Sequence, residues 1–244
     1  MPTLKLGTGL HLKNAGWEAA GPAELRPRRR ACDEGNVKEI EYFYSAHSAF
    51  AYLGSARLAA IAAAAGRRIA HRPMDLRRVV AEAGVVPPAR RSKAHMAYYF
   101  GREIERWSEE RGVPWLGRTP THHANGIALS NCVLIAGLAL GVDVDRLAHA
   151  LLEAHWRDDA DLADATTLAK VASGIGIDPA PLLAGATSAE VEAVYLANTE
   201  EAIRRSVFGS PTYFVDGDMF YGQDHLEMIE RALSRPYGGR WPPT

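Results

Sequence analysis

The sequence predicts an α/β protein, a small four-stranded mixed sheet that carries a large inserted lobe of helices. Three observations point there. Short β-branched and aromatic runs occur in pairs, one pair early in the chain and one late, and both have strand character. Residues 76–205, between the pairs, show helical spacing and no clear strand. The late pair flanks Asp216-Gly217, a hairpin signal because both central turn positions require φ > 0.

Each element has its own signal. Residues 37–45, VKEIEYFYS, form the first strand. An Ala/Leu-rich helix follows as far as Ala65, with Ser48 where an N-cap belongs and Gly66 just past the end. Residues 68–74 form the second strand, with Pro73 near its end. This βαβ unit requires parallel strands and a right-handed crossover. Helices then occupy 76–83, 91–111, 127–140, 144–156, 162–175, 179–184 and 188–205, punctuated by Gly84, Pro87-Pro88, Gly112-Val113-Pro114 and Gly141. Ser188, Glu190 and Glu192 suit a helix start, where negative charge is stabilised. Strands at 212–215 and 219–221 and a closing helix at 225–233 complete the chain. Tyr98, Tyr99, Phe100 and Trp107 read mainly as helix core.

Composition excludes several classes. Apolar residues make up 47%, enough for a sizeable core and too many for disorder. With 28 Lys+Arg against 29 Asp+Glu, the net charge of −1 lacks the basic excess of a nucleic-acid binder. Cys32 and Cys132 are the only cysteines, which excludes a disulfide framework, a CxxC redox pair and a cysteine zinc site. The longest apolar stretches, 58–65 and 133–142, are about half the roughly 20 residues of a membrane helix, so no membrane partner is expected. Residues 1–32 contain no apolar core of a secretory signal. They read as a disordered tail or an upstream start. The cluster Arg26, Arg28, Arg29 and Arg30 makes a basic interaction arm the alternative, and Glu18 and Glu24 count against a targeting peptide. A soluble cytoplasmic protein is the expectation.

Chemistry is concentrated at three junctions. At Tyr44-Ser45-Ala46-His47-Ser48-Ala49-Phe50 a strand turns into a helix, whose first N–H groups are unpaired and carry partial positive charge. Ser48 Oγ either donates to a bound anion there or caps the N–H of Phe50 or Ala51, and His47 is either an acid/base or a polar loop residue. At Phe208-Gly209-Ser210-Pro211-Thr212 a cis proline would free the Ser210 backbone to pair with an extended ligand, whereas a trans proline would only mark a strand start. At Gly222-Gln223-Asp224 a second helix start offers N–H donors, with Gln223 and Asp224 either holding the charged ends of a zwitterion or capping. Metal binding by His122, His123, His149 or His155 has little support. Adjacent histidines rarely share an ion, and no HExxH motif is present.

Together the three junctions resemble the group formed by kappa-class glutathione transferases and 2-hydroxychromene-2-carboxylate isomerases, within the DsbA-like thioredoxin superfamily. The group's Ser-Pro-Tyr/Phe-Ser-Tyr-Leu helix start is matched by Ser48-Ala49-Phe50-Ala51-Tyr52-Leu53. Its Phe-Gly-x-Pro-Thr run is matched by Phe208 to Thr212, and its Phe-Trp-Gly-Gln-Asp-Arg-Leu run by Phe220 to Leu226. Arg106-Trp107, Ala154-His155-Trp156 and Thr199-Glu200-Glu201-Ala202 agree with its helices, so the likeness spans residues 40–233. Departures are Ala49 for the usual proline, Met96 where a lysine often stands three residues before Tyr99, His225 for arginine, and His47 beside the serine.

The resemblance implies a thioredoxin-like domain from 37–75 and 206–235, a helical insertion at 76–205, an N-terminal extension at 1–36 and a frayed tail at 236–244. It implies a glutathione-dependent isomerase acting on a small-molecule electrophile, with a transferase or a non-catalytic binding module as alternatives. Ser48 would hydrogen-bond the glutathione sulfur. Ser210, before Pro211, would pair with the cysteinyl part, and Gln223 and Asp224 would hold the γ-glutamyl end. Phe50 and His47 would border the electrophile. Relatives in the group often pair, which makes a homodimer an expectation.

Overall fold

The computed structural model describes residues 38–86, 90–239 and 241–242; the expectations for residues 1–36 fall outside them, as do parts of the tail. Four strands, β1 (Glu39–Tyr44), β2 (Arg68–Pro73), β3 (Thr212–Val215) and β4 (Asp218–Tyr221), form one sheet in the order β2-β1-β3-β4. β1 runs parallel to β2 and antiparallel to β3, and β3 runs antiparallel to β4. Asp216 and Gly217 both take positive φ, 49° and 92°, as the hairpin requires.

Alternation along β1 assigns its two faces. Tyr42 and Tyr44 point to one side and stack with ring centroids 3.9 Å apart, and Tyr213 of β3 stacks on Tyr42 at 5.2 Å. This face is covered by α1 (Ala49–Ala64), α5 (Ala128–Leu140) and α6 (Val144–Asp158), which share its core. Phe43 and Phe214 point the other way, into a smaller cluster with Val79 of α2 (Leu76–Glu82) and Ala202 of α9 (Ala189–Arg204). Helices therefore cover both faces, which is why β3 is buried along its whole length.

The lobe differs in detail from the expectation. In place of one helix over 91–111, α3 (Lys93–Ala97) passes through a π turn (Tyr98–Arg102) into α4 (Glu103–Arg111). Within this stretch only Ile104 is buried. Tyr98 is exposed, and Tyr99, Phe100 and Trp107 are half-buried. The aromatic residues assigned to core thus line the lobe's rim, because a helix this rich in Glu and Arg can bury only a narrow stripe. α7 (Ala165–Gly174) starts three residues later than the expected 162, because the Asp164 carboxylate accepts the N–H groups of Thr166 and Thr167 and fixes the helix start there. α8 (Pro179–Ala186) runs two residues further than expected. The closing segment opens with a 3₁₀ turn, Gln223–His225, before α10 (Leu226–Ser234). No helix among the described residues is long and apolar enough to cross a membrane.

Candidate active site

The start of α1 is built by a tight turn. Ser48 N–H donates to Ser45 O at 3.0 Å, which brings Ser45, Ala46, His47 and Ser48 round one bend off the end of β1. Ser48 sits at the N-cap with φ −76° and ψ 123°. Its Oγ accepts from Ala51 N–H at 3.3 Å and donates to Ser210 O at 3.1 Å. The hydroxyl caps the helix, as one of its two readings expected, and its proton is donated to a backbone carbonyl. No acidic residue occupies the first turn, so nothing offsets the partial positive charge at that helix end.

Residues 162 positions apart in sequence meet here. The Ser210–Pro211 peptide is cis. Ser210 Oγ accepts from Ser45 N–H at 3.2 Å, its carbonyl receives the Ser48 hydroxyl, and its own N–H has no partner among the described residues. Pro211 O accepts from Gly222 N–H at 2.9 Å, tying the second junction to the third. Gly209 lies close under Tyr221: a methyl group on it would lie 2.4 Å from that ring, which would have to move.

The third junction does not cap itself. Gly222, with φ 95°, gives no side-chain cap, and the first-turn N–H groups of Gln223 and Asp224 have no partner among the described residues. Gln223 is buried. Its Oε1 accepts from Arg111 Nε at 3.2 Å, and its Nε2 is left without a partner. Arg111 also donates to Gln223 O and to the Glu227 carboxylate, anchoring the turn from α4. The Asp224 side chain is exposed, 3.6 Å from His225 Nδ1. Gly54 of α1 packs against this turn, where a Cβ would come 2.7 Å from Gln223 Cβ. The structure thus brings Ser48, Ser210 and Pro211 together and leaves donors open at Gln223 and Asp224.

Phe50 points from the first turn of α1 toward the rim of the lobe, 5.0 Å from Tyr99 and 6.4 Å from Phe100 by ring centroids. Burial pushes the Tyr99 phenol well above its usual range, and Tyr221 beside it adds to the effect. His47, the residue before Ser48, is buried. Its carbonyl accepts Trp156 Nε1–H at 2.9 Å, and its Nδ1 is 2.9 Å from Ser45 Oγ. Burial, then the neighbouring His123, His155 and Arg77, hold its imidazole well below the ordinary histidine range.

Sequence reasoning missed four supports of this site. Asn131 is fully buried; its Oδ1 accepts Ala46 N–H, and its Nδ2 faces Ser45 Oγ and the carbonyls of Met74 and Ile127. Its signal was a single amide inside the apolar run ALSNCVLIAGLAL. His123 and His155 flank His47, and Arg77 donates to the carbonyls of His123, Ala124 and Asn125. The sequence raised His123 and His155 only as metal candidates, and nothing local marks Arg77. Among the described residues no group of three or more His, Cys, Asp or Glu is arranged to hold a metal ion. Cys132 is buried and unbonded, and burial raises its thiol to about 11, so it is a poor nucleophile.

Comparison with known proteins agrees with the fold. The model of the DSBA-like thioredoxin domain matches residues 39–234. The chain is similar to a 2-hydroxychromene-2-carboxylate isomerase of Sphingobium xenophagum, 28% identical over 198 residues that cover 81% of this chain and 98% of the relative. It is also similar to a solved 2-hydroxychromene-2-carboxylate isomerase, with a TM-score of 0.67 and 26% identity over 80% of this chain and 94% of the other. A cytosolic disulfide reductase of Pseudomonas aeruginosa, solved with GSH, shares the fold at 15% identity, with a TM-score of 0.54 over 81% of this chain and 93% of that one.

Proposed function

The chain belongs to the DsbA-like thioredoxin domain family, and from that premise we propose that it is a glutathione-dependent isomerase resembling 2-hydroxychromene-2-carboxylate isomerase. The observation that carries this reading is the Ser48 hydroxyl at the N-terminus of α1, 3.1 Å from Ser210 O beside the cis Pro211. A serine there cannot exchange disulfides, because that reaction needs an attacking thiolate. The thiol must be brought in, and the tripeptide's sulfur takes the place next to the hydroxyl.

The energetics suffice. A free thiol ionises near pH 8.5, and lowering that by about two units needs about 2.7 kcal/mol of preferential thiolate binding. A hydroxyl hydrogen bond to an anion supplies about 1.5–3 kcal/mol, and a helix N-terminus adds about 0.3–1. Ser48 has one proton. When the thiolate arrives, the proton turns from Ser210 O to sulfur, and Ala51 N–H keeps its bond to Oγ. Ser210 O and N–H are then open to the cysteinyl main chain, which they meet as one more extended strand. The first-turn N–H groups, Gln223 and Asp224 take the γ-glutamyl carboxylate and amino groups.

The thiolate adds to a conjugated double bond of a substrate lying over Phe50 and beside His47. The sulfur bonds to one alkene carbon of the ring-closed substrate, the π electrons shift to the adjacent carbon–carbon bond, and the ring C–O bond breaks, leaving an enol and a phenolate. The carbon–carbon bond, now single, rotates. The enol then gives its proton to the phenolate and becomes a ketone as the trans double bond re-forms and the thiolate leaves unchanged. A transferase would use the same thiolate but consume it. Because the cycle needs reduced glutathione, the cytoplasm is its natural compartment.

Ser48→Ala is the test. The ultraviolet absorbance of bound glutathione thiolate, followed against pH, should show the sulfur titrating about one to two pH units higher in the variant. Turnover of 2-hydroxychromene-2-carboxylate should fall about tenfold to a hundredfold with glutathione regenerated rather than consumed. Equal sulfur titrations in the two proteins would remove Ser48 from this role.

A further inference from the structure

Three imidazoles, one of them on the residue that precedes Ser48, lie close together, with ring centroids of His47 and His123 5.0 Å apart and of His123 and His155 5.3 Å apart. Their hydrogen bonds fix where each proton sits. His155 Nδ1 is 2.9 Å from Ala160 O, which can only accept, so Nδ1 carries the proton and Nε2 a lone pair. That lone pair is 3.0 Å from His123 Nδ1, which must donate, leaving the lone pair of neutral His123 on Nε2. At the other end, Asn131 Oδ1 accepts Ala46 N–H, so its Nδ2 is the group facing Ser45 Oγ at 3.1 Å. Ser45 is fully buried, and its hydroxyl proton has one remaining acceptor, His47 Nδ1 at 2.9 Å. Neutral His47 therefore carries its proton on Nε2.

Two adjacent rings thus present opposite polarity. His47 offers an Nε2–H donor and His123 an Nε2 acceptor, and neither atom has a partner among the described residues. Burial keeps both neutral, with His123 down to about 4, and the Arg77 charge adds to the effect. We propose that His47 and His123 form a neutral donor–acceptor pair that recognises a substrate hydroxyl next to the thiol site. His47 Nε2–H donates to the hydroxyl oxygen, and the hydroxyl proton is donated to His123 Nε2. The pair fits an uncharged hydroxyl such as that of a cyclic hemiketal. It discriminates against a carboxylate at this point, which has no proton for His123. His155, Ser45 and Asn131 are positioning residues that hold the two tautomers.

The inference rests on the substrate approaching beside Ser48, so its test begins with a readout independent of turnover. Long-range ¹H–¹⁵N spectra of the histidine rings of the full chain should show His47 as the Nε2–H tautomer and His123 and His155 as Nδ1–H tautomers. Adding 2-hydroxychromene-2-carboxylate should shift His123 Nε2 upfield, as expected for a nitrogen that accepts a hydrogen bond. His123→Phe should bind this compound about tenfold more weakly while binding glutathione as before. His123→Gln, whose amide repeats the donor toward His155 and the acceptor toward the ligand, should restore most of the affinity. Reversed tautomers, an unmoved His123 Nε2, or equal affinities in His123→Phe and the original chain would each overturn the proposal. Absence of glutathione binding would instead sink the isomerase reading, and the ring tautomers and the titration would still decide this one.

Discussion

Two of the histidine networks among the described residues differ in completeness. On one side of the core, His71 of β2 is bonded at both ring nitrogens, Nδ1 to Tyr44 Oη at 2.8 Å and Nε2 to the Asp145 carboxylate at 2.6 Å. On the other, the chain from Ala160 O through His155 to His123, and the chain from Asn131 through Ser45 to His47, each end on an unfilled nitrogen. A saturated network spends its hydrogen bonds on the fold. An open-ended one holds polar groups ready for something the protein does not itself supply. The difference separates a histidine that pins β2 to α6 from histidines whose outer ring nitrogens have no partner among the described residues, although His71, His47 and His155 are all buried.

Substitutions can break or sharpen that contrast. The largest effect belongs to Asn131→Leu, which strips partners from Ala46 N–H, Ser45 Oγ and two buried carbonyls. It should cost about 3 kcal/mol in urea unfolding and release the His47 tautomer. His71→Phe comes next: it strands the Tyr44 hydroxyl and should cost about 2 kcal/mol, with glutathione affinity unchanged by calorimetry. A turnover defect in His71→Phe larger than its stability loss would erase the distinction between the networks.

The smallest effect is on pH dependence. His47, His123 and His155 all have imidazoles held below the ordinary value of 6.5, chiefly by burial. As pH falls below about 6.5 the unfolded chain takes up protons first, so stability is full above that point and declines toward pH 4, where His123 itself protonates. Urea midpoints at about pH 7.5 and about pH 5 should differ less in His123→Phe than in the original chain. An identical pH dependence in the two proteins would show that His123 is already charged in the fold.

Legibility followed the range of each interaction. The hairpin at Asp216-Gly217, the cap at Ser48 and the strand pair around α1 depend on neighbours a few residues away, and all were readable. So was the interest of Ser210-Pro211, because a proline at a strand start restricts its own neighbours. The boundary of α7 was missed by three residues because Asp164, not the hydrophobic period, ends the preceding turn. The rim position of Tyr99 and Phe100 was missed because a helical period marks a face without saying how narrow a stripe of it the lobe buries. Asn131 acts across 85 residues and His123 and His155 meet across 32, separations over which a single sequence has no periodicity to read.

By itself the sequence determined the element order, the mixed sheet with its helical insertion, the absence of a paired thiol and the three polar junctions, because these follow from local backbone preference and composition. Tertiary structure alone decided that the Ser48 proton rests on Ser210 O, that Arg111 holds Gln223, and that the outer nitrogens of His47 and His123 have no partner among the described residues. Hydrogen bonding is directional and depends on which donors and acceptors the packed helices bring within 3 Å, and that is settled only when the whole core closes.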